Sequence, residues 1–212
     1  MNLLELDHIA LACAALDEGT ACVEETLGVP LAPGGKHAAM GTHNRLLSLG
    51  PDLYFESIAI DPEAPPPGRP RWFALDQFSG PPRLTNWIVK TPDMAAALAQ
   101  LRDGLGSDGF GEVMHIARGD LRWQMAVPAT GVLPWDGWAP ALIHWEGAAH
   151  PASRLPDQGI RLKSLTLRHP QAVEMAELLA PLMPRDTALF EPAPTPGLQA
   201  VFETPDGERT LT

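Results

Sequence analysis

Residues 6–16, LDHIALACAAL, decide the fold because they recur. Positions 84–94 read LTNWIVKTPDM and 162–172 read LKSLTLRHPQA, each 78 residues after the last without a gap. Each stretch begins with Leu, alternates through a short strand and leads into a helical segment. The helices expected are Leu16–Leu27, Pro92–Leu105 and Pro170–Leu182. Gly28 and Gly106 follow the first two, where a left-handed C-terminal cap favours glycine. Pro92 and Pro170 suit a first helical turn, which has no use for their missing N–H.

Three strand-like blocks follow each of the first two helices. They are 36–41, Arg45–Leu49 and Leu53–Ile60, then Glu112–Arg118, Leu121–Val127 and Ala141–Glu146. Gly50-Pro51 and Gly119-Asp120 supply turn chemistry between consecutive blocks. The plan is βαβββ twice, with a shorter third copy ending in Gln199–Thr204. The fold class is α+β: paired βαβββ modules forming a cupped mixed sheet, with an extra C-terminal βα-β piece. The organisation expected is a first module over 1–60, a Pro-rich connector over 61–83, a second module over 84–150 and a partial third over 159–212, packed as one domain. One module leaves its sheet half covered, and pairing two buries that face.

Composition narrows the function classes. The chain has 212 residues, 45% hydrophobic and 19% charged, which is globular composition with room for a real core. Its net charge of −11 argues against nucleic-acid binding, which needs clustered Lys and Arg. No apolar run is long enough for a membrane span, and the N-terminus lacks the pattern of a signal peptide. Only Cys13 and Cys22 are present, so no disulfide framework exists and a cytoplasmic setting is the simplest expectation. Both cysteines read as small buried hydrophobes. Glu18, Glu24 and Glu25 read as a solvated helix face. GxSxG, GxxxxGK, CxxC and HExxH patterns are absent, and no GxGxxG follows a strand.

LDHIAL, the helix ending in ETLGV, GGKHAAMGTHNRLLSLG and the strand YFES resemble the opening of the glyoxalase-like group in the vicinal oxygen chelate superfamily. In the second half, GDLRWQMAV and ALIHWEGAAHP resemble the same group's later blocks. The resemblance covers nearly the whole chain. It implies lyases, isomerases, dioxygenases, epimerases or plain binders, since this fold does not set one reaction. In that superfamily metal ligands lie on the first and last strands of each module and face the cup. The resemblance therefore implies His8, Glu56 and Glu146 as metal ligands, matching Phe55-Glu56 with Trp145-Glu146. Asn86 stands opposite His8, where His or Gln is expected. Such a set suits Zn²⁺, Mn²⁺, Fe²⁺ or Ni²⁺, and otherwise the cup needs no cofactor. The alternative is a hydrogen-bonded His8 with Glu56 paired to a cation. A two-residue turn at Gly50-Pro51 pairs Arg45 with Glu56, and a one-residue slip pairs Leu46 instead.

The second hairpin carries its own inference. A turn at Gly119-Asp120 pairs Arg118 with Leu121, Ala117 with Arg122, Ile116 with Trp123, His115 with Gln124 and Met114 with Met125. One face is then Met114, Ile116, Trp123 and Met125; the other carries His115, Arg122 and Gln124. The apolar face is expected to meet a helix and the polar face to look into the cup, although solvent is the other option for it. Arg122 then becomes a catalytic anion clamp for a carboxylate or enolate. In GTHNRLL, His43 and Asn44 are candidates to orient a substrate carbonyl, or else simple turn residues. Residues 128–140 carry Trp135 and Trp138, either as an aromatic lid over the pocket or as rings pinning the loop to the sheet.

The readings that remain share a small-molecule ligand and no nucleic acid or membrane. The first is a glyoxalase-like lyase or isomerase, metal-assisted or using Arg122, that stabilises an enediolate with Glu56 and Glu146 in catalytic roles. The second is a metal-free binding or sequestering protein. An extradiol-dioxygenase-like enzyme is a further alternative. A last reading makes the third copy a homodimer interface.

Overall fold

Residues 2–212 are described by a computed structural model. The repeat leaves a direct geometric signature in it. Strand β1 (Glu5–Ala12) runs antiparallel to β5 (Arg83–Lys90), with His8 opposite Ile88 and Ala10 opposite Asn86. Adding 78 to one member of each pair gives a member of the other, as a two-fold between the modules requires. Outward from this centre, β1 pairs in parallel with β4 (Tyr54–Ile60), and β5 pairs in parallel with β8 (Ala141–Trp145). The strands β2 (Ala32–His37), β3 (Thr42–Ser48), β6 (Glu112–Arg118) and β7 (Leu121–Val127) complete an eight-stranded mixed sheet of order β2-β3-β4-β1-β5-β8-β7-β6. Its end strands β2 and β6 come back into contact, so the sheet curls into a nearly closed cup.

The helices cover the convex side. Helix α1 (Leu16–Leu27) and α2 (Met94–Leu105) end at Gly28 and Gly106, both left-handed with φ of 75° and 62°. Pro92 lies before α2, because the Asp93 side chain accepts from the Ala96 N–H and so caps the helix one residue later. Pro170 likewise precedes α3 (Ala172–Leu179), a shorter helix than the pattern suggests.

The C-terminal piece holds more strands than were legible. It has β9 (Arg161–His169), β10 (Leu189–Pro192), β11 (Gly197–Thr204) and β12 (Gly207–Leu211) in a second sheet of order β10-β9-β11-β12. Here β9 takes as its parallel partner the first strand after the helix, whereas β1 and β5 each take the third. The third repeat is thus shared at the level of strand and helix and differs at the level of the sheet. It packs behind the large sheet, with Phe202 edge-on to Phe55 and Phe190 edge-on to Trp87, ring centres 6.1 Å apart in both pairs. The three fully buried rings, Phe55, Phe202 and Trp87, each contribute about 1.5–3 kcal/mol through the area they remove from water.

The hairpins set the register that matters for the site. The second closes at Gly119-Asp120 with all five expected pairs, Arg118–Leu121 through Met114–Met125. In the first, the connection spans Leu49–Leu53, and Leu46 rather than Arg45 lies opposite Glu56. Strand β2 ends at His37, four residues short of the expected block, because Ala38–Gly41 form the turn into β3. No helix among the described residues is long and apolar enough to cross a membrane.

Candidate functional site

The cup interior, a cavity of about 30 Å³, divides into two unlike halves. Its polar half comes from the first module. Period-two alternation puts Asn44 and Leu46 of β3, Tyr54 and Glu56 of β4, and His8 of β1 on the concave face. The half facing them comes from the second module and consists of Trp123, Met125, Ile143 and Trp145, with Arg118 at the rim. Trp72 and Phe73, from a short turn over Trp72–Gln77 in the connector, and Pro151 complete the wall.

A chain of buried ionisable groups runs along β1. A register shift between Leu6 and His8 lets the neighbouring Asp7 and His8 side chains meet, which strict alternation forbids. His8 Nδ1 donates to Asp7 Oδ1 at 2.7 Å, and its Nε2 lies 3.5 Å from Glu56 Oε2. The second Asp7 oxygen accepts from Trp145 Nε1 and His150 Nε2, both at 3.0 Å. Asn44 Nδ2 donates to Glu56 Oε1 at 2.5 Å, while Asn44 Oδ1 accepts from the Gly35 N–H at 2.7 Å, which sets the amide's orientation. Gly34 and Gly35 make this approach feasible: a Cβ on Gly34 would collide with Asn44, backbone included. Tyr54 stacks on the His8 ring at 4.4 Å.

Charge follows from these contacts. Burial alone would push the His8 pKa down, but hydrogen bonds to Asp7 and Glu56 outweigh it and raise it to about 9. Burial opposes the Glu56 charge too, yet the hydrogen bond and charge of His8 hold the carboxyl below its ordinary value. Asp7 is held well below the carboxylate range in the same way, by His150 and His8 against burial. The site at neutral pH is therefore an imidazolium between two carboxylates. Burial lowers His37 to about 4, so it is neutral there. Its Nδ1 contacts Thr42 Oγ1 at 3.0 Å, and its Nε2 accepts from Arg118 Nη1 at 2.9 Å.

The expected residues distribute as follows. His8, Glu56 and Asn44 meet in the cup. Glu146 does not join them: it lies on the outer face of the second module, half-exposed, accepting from Gln124 at 3.0 Å and lying 3.2 Å from His115. The residue equivalent to Glu56 is Ala141, since Ala10 pairs with Glu56 and its counterpart Ile88 pairs with Ala141. The dipeptides Phe55-Glu56 and Trp145-Glu146 match by composition but not by register. Arg122, His115 and Gln124 also face outward, and Arg122 donates to the carbonyls of Gly119 and Leu121. The hairpin faces are thus opposite to the expectation, because the closed cup is itself a core and takes Trp123 and Met125 inside.

His43 lies on the face of β3 opposite Asn44 and does not line the cup. Trp135 and Trp138 do not cover the mouth either; the Trp138 carbonyl accepts from Trp87 Nε1, pinning that loop to the sheet. The cover comes instead from Trp72, Phe73 and the segment of His150 and Pro151. Asn86 is buried with its Oδ1 unpaired, and the buried Trp72 indole N–H is unpaired as well. Sequence reasoning missed Asp7, His37, Trp72, Arg118 and His150. The adjacent Asp7-His8 pair was the one available signal, and it needed the bulge to acquire meaning.

These residues do not fit a divalent metal. The four positions where the superfamily carries ligands hold His8, Glu56, Asn86 and Ala141, so the second module offers one amide and one methyl group. The cup therefore brings together one imidazole and one carboxylate from the four positions, with His8 Nε2 3.5 Å from Glu56 Oε2. No group of three or more His, Cys, Asp or Glu side chains among the described residues has metal-binding geometry.

Among solved structures, a hypothetical protein from Staphylococcus aureus superimposes with a TM-score of 0.63 at 16% identity, over 92% of this chain and 88% of that one. The methylmalonyl-CoA epimerase of Mycobacterium tuberculosis matches with a TM-score of 0.43 at 20% identity, over 70% of this chain and 92% of its own. That of Streptomyces coelicolor, in complex with 2-nitronate-propionyl-CoA, matches with 0.44 at 17%, over 70% and 97%. At these identities the likeness is one of fold. No curated protein matches the chain. The glyoxalase-like domain profile matches residues 6–183, spanning both βαβββ modules and the start of the C-terminal piece. With its two-fold pair of modules and cupped sheet, the chain belongs to the glyoxalase-like domain family and has the vicinal oxygen chelate fold.

Proposed function

We propose that this protein is a small-molecule enzyme of the isomerase or lyase type that moves a proton on a carbon next to a carbonyl, with Glu56 as the proton carrier. One observation carries the reading: a charged carboxylate, only 4% exposed, faces the apolar half of the cup and is aimed by Asn44. The contacts that hold the Glu56 carboxyl below its ordinary value keep it ionised and able to take up a proton, and positioning removes the entropy of finding the carbon acid. When Glu56 takes up a proton, the His8 charge stays balanced by Asp7, so the site does not strand a buried cation.

The asymmetry of the cup bears on the reaction class. Inversion at a carbon needs proton-handling groups on both sides of it. The wall facing Glu56 is made of Trp123, Met125, Ile143 and Trp145, none of which carries a transferable acid proton near neutral pH. The proton therefore leaves and returns on one side, which suits isomerisation or elimination rather than epimerisation. Incubation with pyruvate, 2-oxobutyrate and hydroxyacetone in D₂O, followed by proton NMR, tests this. Glu56→Gln is expected to slow α-proton exchange by about 10²–10⁴; exchange at the wild-type rate rejects the role of Glu56.

A binding protein that does no chemistry is the second reading. It is favoured by the engagement of both His8 nitrogens and both Glu56 oxygens within the protein. Saturable binding without exchange on any substrate class would establish it.

A further inference from the structure

Arg118 is the one Lys or Arg side chain that lines the cup, and its surroundings differ from those of the ion-paired arginines. Arg71, Arg102, Arg154, Arg161 and Arg168 each face a carboxylate. Arg118 ends β6 half-buried, and the only hydrogen bond it makes among the described residues goes to the imidazole Nε2 of His37. No carboxylate lies within ion-pair distance of it among the described residues. That histidine is neutral over the whole physiological range, so it orients the guanidinium and leaves its charge uncompensated. A guanidinium has five N–H donors, and one is in use.

The side chain is also held in place from both sides. Its guanidinium carbon sits 5.9 Å from the centre of the Trp123 ring. On the other side it crosses Gly35, where an added Cβ would come within 2.8 Å of Arg118 Cδ. The same pair of glycines therefore seats both Asn44, which aims Glu56, and Arg118. Arg118 lines the cup and also a wider groove outside it; the two share Leu46, Arg118 and Pro151 as a common threshold.

We propose that Arg118 is a carboxylate-recognition residue at the threshold of the cup, so that the ligand is a small carboxylic acid whose reacting carbon lies inside. The ligand class rests on the proton-transfer reading of Glu56 and extends it. A planar carboxylate matches two parallel N–H groups of the fork. A partly desolvated cation without a partner is costly, and the ligand supplies the missing charge. A phosphate would bring up to two charges and more oxygens, whereas the cup's lining offers a single guanidinium fork.

The test uses the whole protein and its cup tryptophans. Calorimetry or tryptophan fluorescence measures the affinity of wild type for unbranched carboxylates of two to six carbons and their 2-oxo acids, each against its neutral amide, with inorganic phosphate alongside. Carboxylates are expected to bind about ten- to a hundredfold more tightly than the amides. Arg118→Lys is expected to remove most of that gap, and Arg122→Lys, on the outer face, to leave it. Equal affinity of acid and amide in wild type overturns the assignment without recourse to any variant, as does binding by no member of the series. Preference for phosphate overturns the carboxylate. If proton exchange is absent but the acid–amide gap depends on Arg118, the reading of Glu56 fails and this one stands. If exchange persists unchanged in Arg118→Lys with no gap, the reverse holds.

Discussion

The two βαβββ modules share a backbone plan to the residue at their centre, yet they furnish the cup with opposite chemistry. The first contributes His8, Asn44 and Glu56, tied together by polar contacts, with Tyr54 stacked on His8; the second contributes Trp123, Met125, Ile143 and Trp145, held by packing apart from the Trp145 N–H bond to Asp7. At the two-fold-related positions the contrast is sharpest: His8 against Asn86, and Glu56 against Ala141. The comparison teaches that duplicated backbone geometry conserves which positions face the interior and leaves the chemistry placed there free. A polar half is a network whose members depend on one another, and an apolar half is a sum of contacts. They should therefore break in different ways.

The largest effect is expected at the root of the polar network. Asp7→Ala leaves the His8 imidazolium without its main partner and strips His150 and the Trp145 N–H of their acceptor. Breaking a buried pair on one side costs about 3–5 kcal/mol, and urea denaturation should show it. Glu146→Ala, on the outer face, should leave the midpoint where it was. An equal response from both would erase the distinction between the halves.

The next effect is a pH dependence owned by the polar half. The His8 pKa in the folded protein is about 9, above its ordinary 6.5, so the folded state binds its proton more tightly. That stabilisation is complete below about pH 6.5 and is lost as pH rises through about 9, a span on the order of 3 kcal/mol. His37 works in the other direction. Its folded value of about 4 lies below 6.5, so the unfolded chain takes up that proton first and stability falls between pH 6.5 and 4. Asp7 and Glu56, both lowered, add to the loss as pH falls into the carboxylate range. Stability should peak near pH 6.5, and His8→Gln should flatten the alkaline limb. An unchanged limb in that variant would mean another group titrates there.

A smaller loss is expected from Gly34→Ala, whose methyl group meets the Asn44 backbone rather than a movable side chain. Overpacking of this kind costs about 1–3 kcal/mol. It should also slow any exchange that depends on Glu56, since Asn44 would be displaced. Retention of both stability and exchange would show that β2 can shift freely.

The apolar half provides the smallest effect. Ile143→Val removes one buried methylene and should cost about 0.5–1.5 kcal/mol, with the same value at pH 6 and pH 9. A pH-dependent loss would mean that the two halves are coupled through the cup.

Much of the fold was legible because it rests on local pattern. The 78-residue repeat, the glycine caps of α1 and α2, and the five pairs of the Gly119-Asp120 hairpin all follow from periodicity and turn chemistry within a few tens of residues. His8, Asn44 and Glu56 were legible as chemistry-bearing residues on the right strands. The strands β10 and β12 were not, being short and partly polar, with nothing in their composition to set them apart from loop.

Alternation sorts Trp123 and Met125 from Arg122 and Gln124, but it does not say which set is inside. Only closure of the sheet decided that. With β2 and β6 brought together, the concave face became a core, while α2 covers β8 and leaves the polar face of β6 and β7 to water. The pairing of Ala141 with Ile88, which removed Glu146 from the site, is likewise a contact between distant strands. So are the bulge that joins Asp7 to His8 and the reach of Arg118 across to His37. The sequence by itself determined the elements and the two faces of each strand, because these depend on neighbours along the chain. The tertiary structure decided which face is the interior and which charges meet there, because both depend on how far the curled sheet closes on itself.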